Sequence, residues 1–373
     1  MNYLEPILKA ADSVVVNDDT FNFLNLTGRK AYYAQGYEGE GIVCAIIDTG
    51  VNSMHEDLKD SANRARCIGG KSFCRYTEDL ADDNGHGSHV AGSILGLNCG
   101  VAPKSKYLSV KVLDGSGSND IDSIISGYEY VAKWRDAQGN PVDIACSSLS
   151  IPATEMTAEQ ITRFNEAIKA IVNAGIPMFV SAGNTGTKGG LRYPADFQEV
   201  ISVGAVDVKR NVAYFSTRSP EVDICQVGVD IVSVDYQTSD QYCLKSGTSM
   251  SNPISVGTAI LPLNKYKKMT GKRMPEPMLY DLVKNINSLD IAEIGIDKAT
   301  GAGFFTLDPN PVIRVVMKIG DKNYTVNGVP KVFDVPPQVV PPGRTLLPVR
   351  DVTEGVGCTV EYVPSTEEVI VTR

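Results

Sequence analysis

Short apolar runs alternate with amphipathic stretches between about residues 40 and 265. The runs are rich in β-branched residues and nearly continuous in apolarity, which is typical of strands buried on both faces of a parallel sheet. The alternation of such strands with helices predicts an α/β fold that binds its ligand beyond the carboxyl ends of the strands. The five clearest runs are GIVCAIID (41–48), YLSVKVLD (107–114), VDIACSSL (142–149), PMFVSAGN (177–184) and VISVGAVD (200–207).

Two stretches between these runs have the polarity pattern of helices that pack on a sheet. They are SIISGYEYVAKWRDA (123–137) and TAEQITRFNEAIKAIVNAG (157–175). In the second stretch Thr157 is a suitable N-cap, Glu159 and Gln160 fall in the first turn and Gly175 marks the end. A third helix is predicted through NPISVGTAIL (252–261).

The pattern changes after about residue 311, where valine, proline and turn dipeptides dominate. The dipeptide Asn327-Gly328 suits the tight primed turn of a β-hairpin, and a short helix is predicted to start near Asp351. This stretch is long enough to form a small β-rich domain of its own. The sequence therefore divides into a short N-terminal extension (1–16), a large α/β domain (17–308) and a β-rich domain (311–373).

Charge and hydropathy exclude several classes of partner. The chain of 373 residues carries a net charge of −9, which argues against nucleic acid or an anionic membrane surface. It contains no apolar run of about 18 residues, so we expect no membrane insertion. The start, MNYLEPILKAADSVVV, lacks the basic region and long apolar core of a signal peptide. A cytoplasmic location is expected, unless a leader has been removed.

The eight cysteines do not form a recognisable framework. Cys44 and Cys146 lie in apolar runs, where a buried free thiol is the ordinary state. No C-x-x-C spacing occurs, and dense disulfides belong to much smaller secreted domains. We expect most of the cysteines to be reduced. Cys67 and Cys74 are close enough in sequence to pair, and both states stay open for them.

Four polar stretches with glycine neighbours follow the predicted strands, and together they carry a complete hydrolytic chemistry. They are IIDTGV, NGHGSHVAG, SAGNTG and SGTSMSNP, which contain Asp48, His86, Asn184 and Ser249. A serine hydroxyl needs a base to take its proton, and the base needs a carboxylate to fix its tautomer. A side-chain amide can stabilise the oxyanion that forms on the substrate.

These stretches resemble the motifs of the subtilisin-like serine proteases, in the family order of Asp, His and Ser. The resemblance extends from about residue 17 to residue 308 and implies a subtilisin-like fold with a mostly parallel sheet. It also implies a serine endopeptidase that needs no cofactor and takes polypeptides as substrates. In this resemblance Asp48, His86 and Ser249 are catalytic, and Asn184 belongs to the oxyanion hole.

The spacing of His86 and His89 permits other interpretations. A metal pair at i and i+3 needs a third ligand, and the only remaining histidine is His55 in MHEDL. The Asp-Thr-Gly at Asp48 also occurs in aspartic proteases, which need two such carboxylates, and there is no second copy. We therefore expect His86 to be the base and His89 to pack or hydrogen-bond on the helix that follows.

By the same resemblance, two serine-rich stretches flank the peptide substrate and bond its backbone as an added strand. The alternative is a pair of ordinary surface loops. The first stretch is GSGS (Gly115 to Ser118) and the second is SSLS (Ser147 to Ser150). The residues predicted to bind substrate are Ser116, Gly117, Ser118, Ser148, Leu149 and Ser150.

Arg192 in GGLRYPAD stands where many subtilases have a small residue that lines the S1 pocket. Its guanidinium would pair with a substrate carboxylate, which predicts a preference for Glu or Asp at P1. Position 185, which is often acidic in relatives, is Thr185 here and offers no competing charge. In the alternative, Arg192 points to solvent or is neutralised by Asp196. Both interpretations stay open.

The chain departs from the family at its start and after the histidine motif. Only about 16 residues precede the resemblance, as in intracellular subtilisins, where a short segment with a proline lies across the active site. LEPIL (Leu4 to Leu8) fits that role, and a frayed terminus is the alternative. LNCGVAP leaves almost no room for the usual calcium-binding loop, so we expect the high-affinity calcium site to be absent and a weak calcium site at most elsewhere.

The C-terminal stretch GRTLLPVRDVTEGVGCTVEY resembles the copper amine oxidase N-terminal-like domain, a stalk-like module of bacterial cell-envelope proteins. Residues 311–373 contain no histidine and one cysteine, so a copper site is not expected. An attachment or oligomerisation role is expected instead. This module favours a cell-envelope or extracellular location, in conflict with the cytoplasmic one.

A second class of function stays open beside the protease. The chain could be a catalytically retired subtilase that serves as a binding or assembly module. Such a protein is expected to lose a member of its catalytic set, and Asp48, His86 and Ser249 are all present.

Overall fold

The computed structural model describes most of the chain as far as residue 308 and strand segments beyond it. The described residues are 3–4, 13–17, 19–190, 192–292, 295–308, 315–317, 320–326, 329–333, 335, 338–340, 344–346, 359–363 and 368–372. The architecture of the large domain is an α/β sandwich around one sheet, as the sequence predicts.

The described residues of the chain form six α-helices. They are α1 (Arg29–Tyr33), α2 (His86–Leu95), α3 (Ile121–Lys133), α4 (Ala158–Asn173), α5 (Thr248–Thr270) and α6 (Glu276–Asp281). Short 3-10 helices occur at Asn22–Thr27, Glu56–Leu58 and Ala153–Glu155, and a π-helix at Leu282–Ile286 follows α6.

In the part of the large domain that the structure describes there are thirteen strands. They are β1 (Val43–Asp48), β2 (Cys67–Ser72), β3 (Lys106–Lys111), β4 (Ile144–Ser147), β5 (Ile151–Pro152), β6 (Met178–Ser181), β7 (Arg192–Tyr193), β8 (Ile201–Val206), β9 (Ile224–Val227), β10 (Ile231–Val234), β11 (Tyr242–Lys245), β12 (Ser288–Leu289) and β13 (Phe304–Phe305). Nine of them form one sheet in the order β12-β13-β9-β8-β6-β4-β1-β3-β2. All neighbours in it are parallel except β12 and β13.

Both faces of the sheet are covered, so successive residues of its central strands enter different cores. Cys44 and Ile46 of β1 belong to the core on the side of α2 and α5, whereas Ala45 and Ile47 belong to the core of α3 and α4. Because both faces are buried, a strand gains nothing from alternating polarity. The five predicted apolar strands are confirmed as β1, β3, β4, β6 and β8.

The N-cap prediction for α4 is confirmed in detail. The Thr157 side chain accepts from the Gln160 backbone, and the Gln160 side chain accepts from the Thr157 backbone, which forms a capping box. Gly175, just after the helix, has a φ of +72°. The helix predicted at 123–137 lies closer to the N-terminus than expected. It is α3, which begins at Ile121 with Asp120 as its N-cap and ends at Lys133.

Helix α5 is buried over most of its length and contains Pro253 and Pro262. A proline has no N–H, so each one leaves the carbonyl four residues earlier without its helical donor. For Pro253 this carbonyl belongs to Ser249, and it accepts from the Ser148 hydroxyl at 3.2 Å. Pro253 therefore helps to connect the first turn of α5 to the end of β4.

Beyond residue 308 the described residues form three small antiparallel sheets. The strands are β14 (Val315–Met317), β15 (Asn323–Val326), β16 (Val329–Val332), β17 (Gln338–Val340), β18 (Arg344–Leu346), β19 (Thr359–Val363) and β20 (Glu368–Thr372). Val326 pairs with Val329, so β15 and β16 are joined through two residues, as the Asn327-Gly328 signal predicts. The predicted helix near Asp351 lies outside the described residues.

The described cysteines are free thiols, and Cys67 and Cys74 are among them. Burial raises the pKa of the Cys44 and Cys146 thiols, as expected for unreactive core residues. Among the helices that the structure describes, none has both the length and the apolarity that a bilayer crossing requires.

Candidate active site

The carboxylate and imidazole at the centre of the site come from two different elements. Asp48 is the last residue of β1, and His86 is the first residue of α2. His86 Nδ1 lies 2.8 Å from Asp48 Oδ1, and each side chain is 1% exposed. The second bond to this oxygen comes from the Thr49 backbone N–H at 2.8 Å. The structure thus brings together two residues that are 38 positions apart in sequence.

This contact defines the tautomer of His86. An ionised carboxylate only accepts hydrogen bonds, so Nδ1 must carry the proton that it donates to Asp48. The neutral ring then has a lone pair on Nε2, and among the described residues this buried atom has no hydrogen-bond partner. His86 is therefore arranged to accept a proton at Nε2.

Ser249 lies in the first turn of α5 and is 3% exposed. Its hydroxyl donates to the Ser148 carbonyl at 3.1 Å. Backbone N–H groups in the first turn of a helix have no intrahelical acceptor, so the Ser249 region presents donors and positive potential. A serine at this position can act as a nucleophile once it transfers its proton to a base.

Asn184 follows β6, and its amide has a fixed orientation. Its Oδ1 accepts from the Thr248 backbone at 2.9 Å and from the Thr248 hydroxyl at 3.0 Å. Thr248 Oγ1 in turn accepts from the Gly183 N–H at 3.1 Å. The Asn184 Nδ2 is directed the other way, where a Cβ on Gly247 would come within 3.1 Å of it. The amide is thus presented as a donor beside Ser249.

The other histidines have structural partners. His89 is fully buried in α2, and its Nε2 contacts the Ile231 carbonyl at 3.1 Å, in agreement with the prediction. Burial, reinforced by the charge of Lys245, places the pKa of His89 well below its usual value. His55 contacts the Gln241 carbonyl at 2.8 Å. Among the described residues, no group of three or more His, Cys, Asp or Glu side chains is arranged to hold a metal.

The two serine-rich stretches flank a cleft that holds a residue from the start of the chain. The Tyr3 N–H donates to the Gly117 carbonyl at 2.9 Å, and the Ser150 N–H donates to the Tyr3 carbonyl at 3.1 Å. Leu149 packs in the same apolar core as Tyr3, which is 7% exposed. The backbone of Tyr3 therefore bonds both stretches, as a residue of an added strand would.

The neighbours of Gly117 form hydrogen bonds within its own loop, and their contact with a substrate stays a prediction. The Ser116 hydroxyl donates to Asp114 Oδ1 at 2.6 Å, and the Ser118 N–H donates to the same oxygen at 3.2 Å. The Gly117 φ of +74° is in the left-handed region that favours glycine. Ser116 and Ser118 thus contribute by holding the turn in which the Gly117 carbonyl faces Tyr3.

Arg192 lies beside the second serine-rich stretch. It begins β7, which pairs with β5 so that Arg192 is opposite Pro152. The Arg192 Nε donates to the Ser150 hydroxyl at 2.6 Å. The Asp196 carboxylate accepts from the backbone N–H of Arg192, and burial raises the pKa of this carboxyl. The guanidinium is therefore directed towards Ser150, the residue that also bonds Tyr3.

Of the predicted inhibitory segment LEPIL, Leu4 is described and buried, and residues 5–8 lie outside the described residues. The inhibitory role of the segment stays a prediction. Further along, the Val14 N–H donates to the Tyr242 carbonyl on β11 at 3.0 Å. β11 precedes α5, the helix whose first turn contains Ser249. Tyr3 thus contacts the two serine-rich stretches, and Val14 contacts the strand before α5.

The loop after α2 is held by a carboxylate that the sequence did not reveal. Asp57 Oδ1 accepts from the Asn98 backbone at 2.9 Å and from the Asn98 side chain at 2.6 Å. Asp57 Oδ2 accepts from the Cys99 N–H at 3.2 Å and from its thiol at 3.0 Å. The expected absence of a high-affinity calcium site stays a prediction.

Comparison with known families places these features in one class. The Subtilase family profile matches residues 39–303, which is more than half of the chain. The protein belongs to this family of serine proteases. The profile of the copper amine oxidase N-terminal domain matches residues 286–371, in agreement with the resemblance of the C-terminal stretch.

Individual relatives agree with this assignment. The chain is 35% identical over 249 residues to subtilisin DY of Bacillus licheniformis, covering 65% of this chain and 83% of that protein. It is 33% identical over 293 residues to the major intracellular serine protease of Bacillus subtilis, covering 74% of this chain and 84% of that protein. The crystal structure of a cold adapted subtilisin-like serine proteinase superposes with a TM-score of 0.59 at 27% identity, covering 72% of this chain and 88% of that one.

Proposed function

We propose that this protein is a serine endopeptidase that cleaves peptide bonds through an acyl-enzyme on Ser249. The observation that carries the proposal is the buried 2.8 Å contact between Asp48 and His86, which leaves Nε2 as the base. For attack, the Ser249 hydroxyl exchanges the Ser148 carbonyl for Nε2 and gives up its proton there. The Asn184 amide and the Ser249 N–H then bind the oxyanion. His86 returns the proton to the leaving amine.

A fluorophosphonate probe tests this proposal, because it reacts only with an activated serine. We expect the protein to gain one probe adduct on Ser249, and Ser249→Ala to prevent it. Ser61→Ala, which removes an exposed serine, serves as the matched control. A retired binding module would remain unlabelled, both as the full chain and after removal of residues 1–16.

We infer that Arg192 gives the enzyme a preference for Glu or Asp at P1. The support is the bond from Arg192 Nε to Ser150, which directs the guanidinium to the wall of the cleft. A charge pair in a partly desolvated pocket contributes about 1.5–3 kcal/mol, or roughly ten- to a hundredfold in rate. Because the side chain is only half-buried, the lower part of that range is the expected one.

Arg192→Ala should remove this preference. In the wild-type protein we expect kcat/KM for a Glu-P1 peptide to exceed that of the matched Gln-P1 peptide at least tenfold. In the variant the ratio should fall to about one, while cleavage after neutral residues continues. Arg64→Ala, which removes a surface arginine paired with Asp60, is the control. A library profile with no acidic enrichment, or with enrichment that survives Arg192→Ala, would contradict the assignment.

We propose that residues 1–16 inhibit the enzyme by occupying the position of a substrate strand. The support is Tyr3, which bonds Gly117 on one side and Ser150 on the other. A tethered segment competes at a high effective concentration, in the millimolar range for short flexible linkers. A substrate peptide in solution must displace it before it can pair with the same two stretches.

Removal of residues 1–16 should therefore raise kcat/KM for a peptide substrate at least tenfold. A synthetic peptide of residues 1–16, added to the shortened enzyme, should inhibit it competitively. The variant Tyr3→Pro offers a check within the full chain, since proline lacks the N–H that bonds Gly117. If activity is unchanged by the deletion, the segment does not inhibit.

We infer a cytoplasmic location from the relatives, two of which are named intracellular serine proteases, from Bacillus subtilis and Paenibacillus polymyxa. The C-terminal domain is proposed to mediate attachment or oligomerisation, without copper. Cell fractionation and the mass of the full chain in solution test these points. Recovery in the culture medium would contradict the location, and a monomer that binds no other cell component would contradict the role of the domain.

A further inference from the structure

Asp82, four residues before His86, is a buried carboxylate with four hydrogen-bond donors around it. Its Oδ1 accepts from the Thr49 hydroxyl at 2.8 Å and from the N–H groups of Asn84 and Gly85 at 3.0 and 2.8 Å. Its Oδ2 accepts from the Ser88 N–H at 2.8 Å. The side chain is 9% exposed, so these donors replace the water that a free carboxylate would bind.

Asp82 bonds the first turn of α2 because the N-cap residue of this helix cannot do so. The N-cap residue is Gly85, which has a φ of +95° and no side chain to bond the first turn. A larger residue is also excluded there, because a Cβ on Gly85 would meet the Tyr236 ring at 2.4 Å. The first-turn N–H groups still need acceptors. Asp82 supplies one for Ser88, and Thr49 Oγ1 supplies one for Gly87 at 2.9 Å.

Thr49 extends the network to the carboxylate that orients His86. Its hydroxyl donates to Asp82, and its backbone N–H donates to Asp48 Oδ1. The two segments are in direct contact, since a Cβ on Gly87 would lie 2.1 Å from the Gly50 carbonyl and 3.2 Å from Asp48 Cβ. The turn after β1 and the first turn of α2 are therefore held together by Asp82 and Thr49.

We propose that Asp82 is a positioning residue for His86. Through Ser88, Gly85 and the Thr49 hydroxyl, it fixes the start of α2 against the Asp48 turn and so sets the distance from His86 Nδ1 to Asp48 Oδ1. Asp82 does not touch the reacting atoms. Its contribution to rate rests on the proposed protease function, whereas its effect on the imidazole does not.

The test combines kinetics with the imidazole resonances of the full chain. The protein has three histidines, so labelling histidine alone with 15N gives a spectrum in which each ring can be followed. His55 and His89 bond backbone carbonyls and serve as internal references. Asp82→Asn keeps the shape of the side chain but replaces one accepting oxygen by an NH₂ group, which is a donor and faces other donors. Thr49→Val removes the hydroxyl, and Thr49→Ser retains it.

We expect Asp82→Asn and Thr49→Val to shift or broaden the Nδ1 proton resonance of His86 while His55 and His89 stay unchanged. For peptide hydrolysis, kcat should fall about 10- to 100-fold with KM within about twofold, since a small misplacement of a catalytic group is sufficient for such a loss. Thr49→Ser should remain close to the wild type. Asp136→Asn is the matched control, because Asp136 accepts from backbone N–H groups in an exposed turn.

Unchanged His86 resonance and kcat in both Asp82→Asn and Thr49→Val would overturn the proposal. So would equal changes in all three histidines, which would indicate general destabilisation. If Asp82→Asn does not fold, Thr49→Val alone decides the question. An inactive wild-type protein whose His86 resonance responds as expected would contradict the protease function and leave the positioning role in place.

Discussion

Ser249→Ala should lower kcat for peptide hydrolysis about 10⁶-fold and change KM little. A loss of this size is already known for removal of the nucleophile from subtilisin, so the magnitude is that of the class. The reason here is that Ser249 is the hydroxyl proposed to give its proton to His86 Nε2, which has no hydrogen-bond partner among the described residues. The remaining activity would come from binding and from the oxyanion donors. Steady-state rates on a chromogenic peptide provide the measurement.

Two comparisons make this result specific. The Ser61→Ala control should retain the wild-type rate, and thermal unfolding of Ser249→Ala should resemble that of the wild type. A Ser249→Ala protein that retains more than about a tenth of the activity would show that another residue is the nucleophile.

Asp48→Asn should lower kcat about 10⁴-fold, a magnitude known from other serine proteases with this carboxylate. An asparagine amide can place its NH₂ group against Nδ1 of His86. The ring then carries its proton on Nε2 and cannot accept one from Ser249. Because His86 Nδ1 and the Thr49 N–H both bond Asp48 Oδ1, an NH₂ group at that position also leaves the Thr49 N–H without its acceptor.

The tautomer itself can be observed. In 15N-histidine spectra of Asp48→Asn, the His86 proton should move from Nδ1 to Nε2, and His55 should be unaffected. Asp207→Asn, in an exposed turn where the carboxylate accepts from Lys209 and Asn211, is the control. A full rate in Asp48→Asn would mean that the carboxylate does not set the tautomer of His86.

The fold was predictable because its central strands are buried on both faces. Continuous apolar runs such as the one that became β1 have few alternatives in a chain of alternating strands and helices. The Thr157 cap was predictable for a similar reason, since its capping box involves residues three apart. Local signals were sufficient in these cases. The pairing of Asp48 with His86 was expected for a different reason, namely the resemblance of their motifs to those of the subtilisin-like proteases.

The features that could not be predicted from the sequence depend on contacts between distant segments. The stretch containing Asp82 has the composition of an ordinary turn, and only the fold brings Thr49 to its carboxylate. Lys111 is a comparable case, since it is fully buried at the end of β3 and bonds Asp83 at 2.5 Å and the carbonyl of Thr49. The sequence did offer one signal for this contact, namely a lysine within an apolar run, because a lysine is rarely buried without partners.

The contacts of the extension could not be predicted residue by residue. Among the described residues its backbone bonds come from Tyr3 and Val14, and residues 5–8 of LEPIL lie outside the described part of the chain. The register of an added strand depends on which carbonyl and N–H groups face the cleft, and Gly117 and Ser150 determine it here. The bond of Arg192 to Ser150 could not be predicted from the sequence either, because it follows from the pairing of β5 with β7.

Trapping the acyl-enzyme tests the central proposal most directly. The protein without residues 1–16 is mixed with a peptide ester, quenched in acid within milliseconds to seconds, digested and analysed by mass spectrometry. We expect the acyl group on the peptide that contains Ser249, with its appearance matched by a burst of released alcohol. Product formation without an acylated peptide, or an acyl group on another residue, would contradict the mechanism.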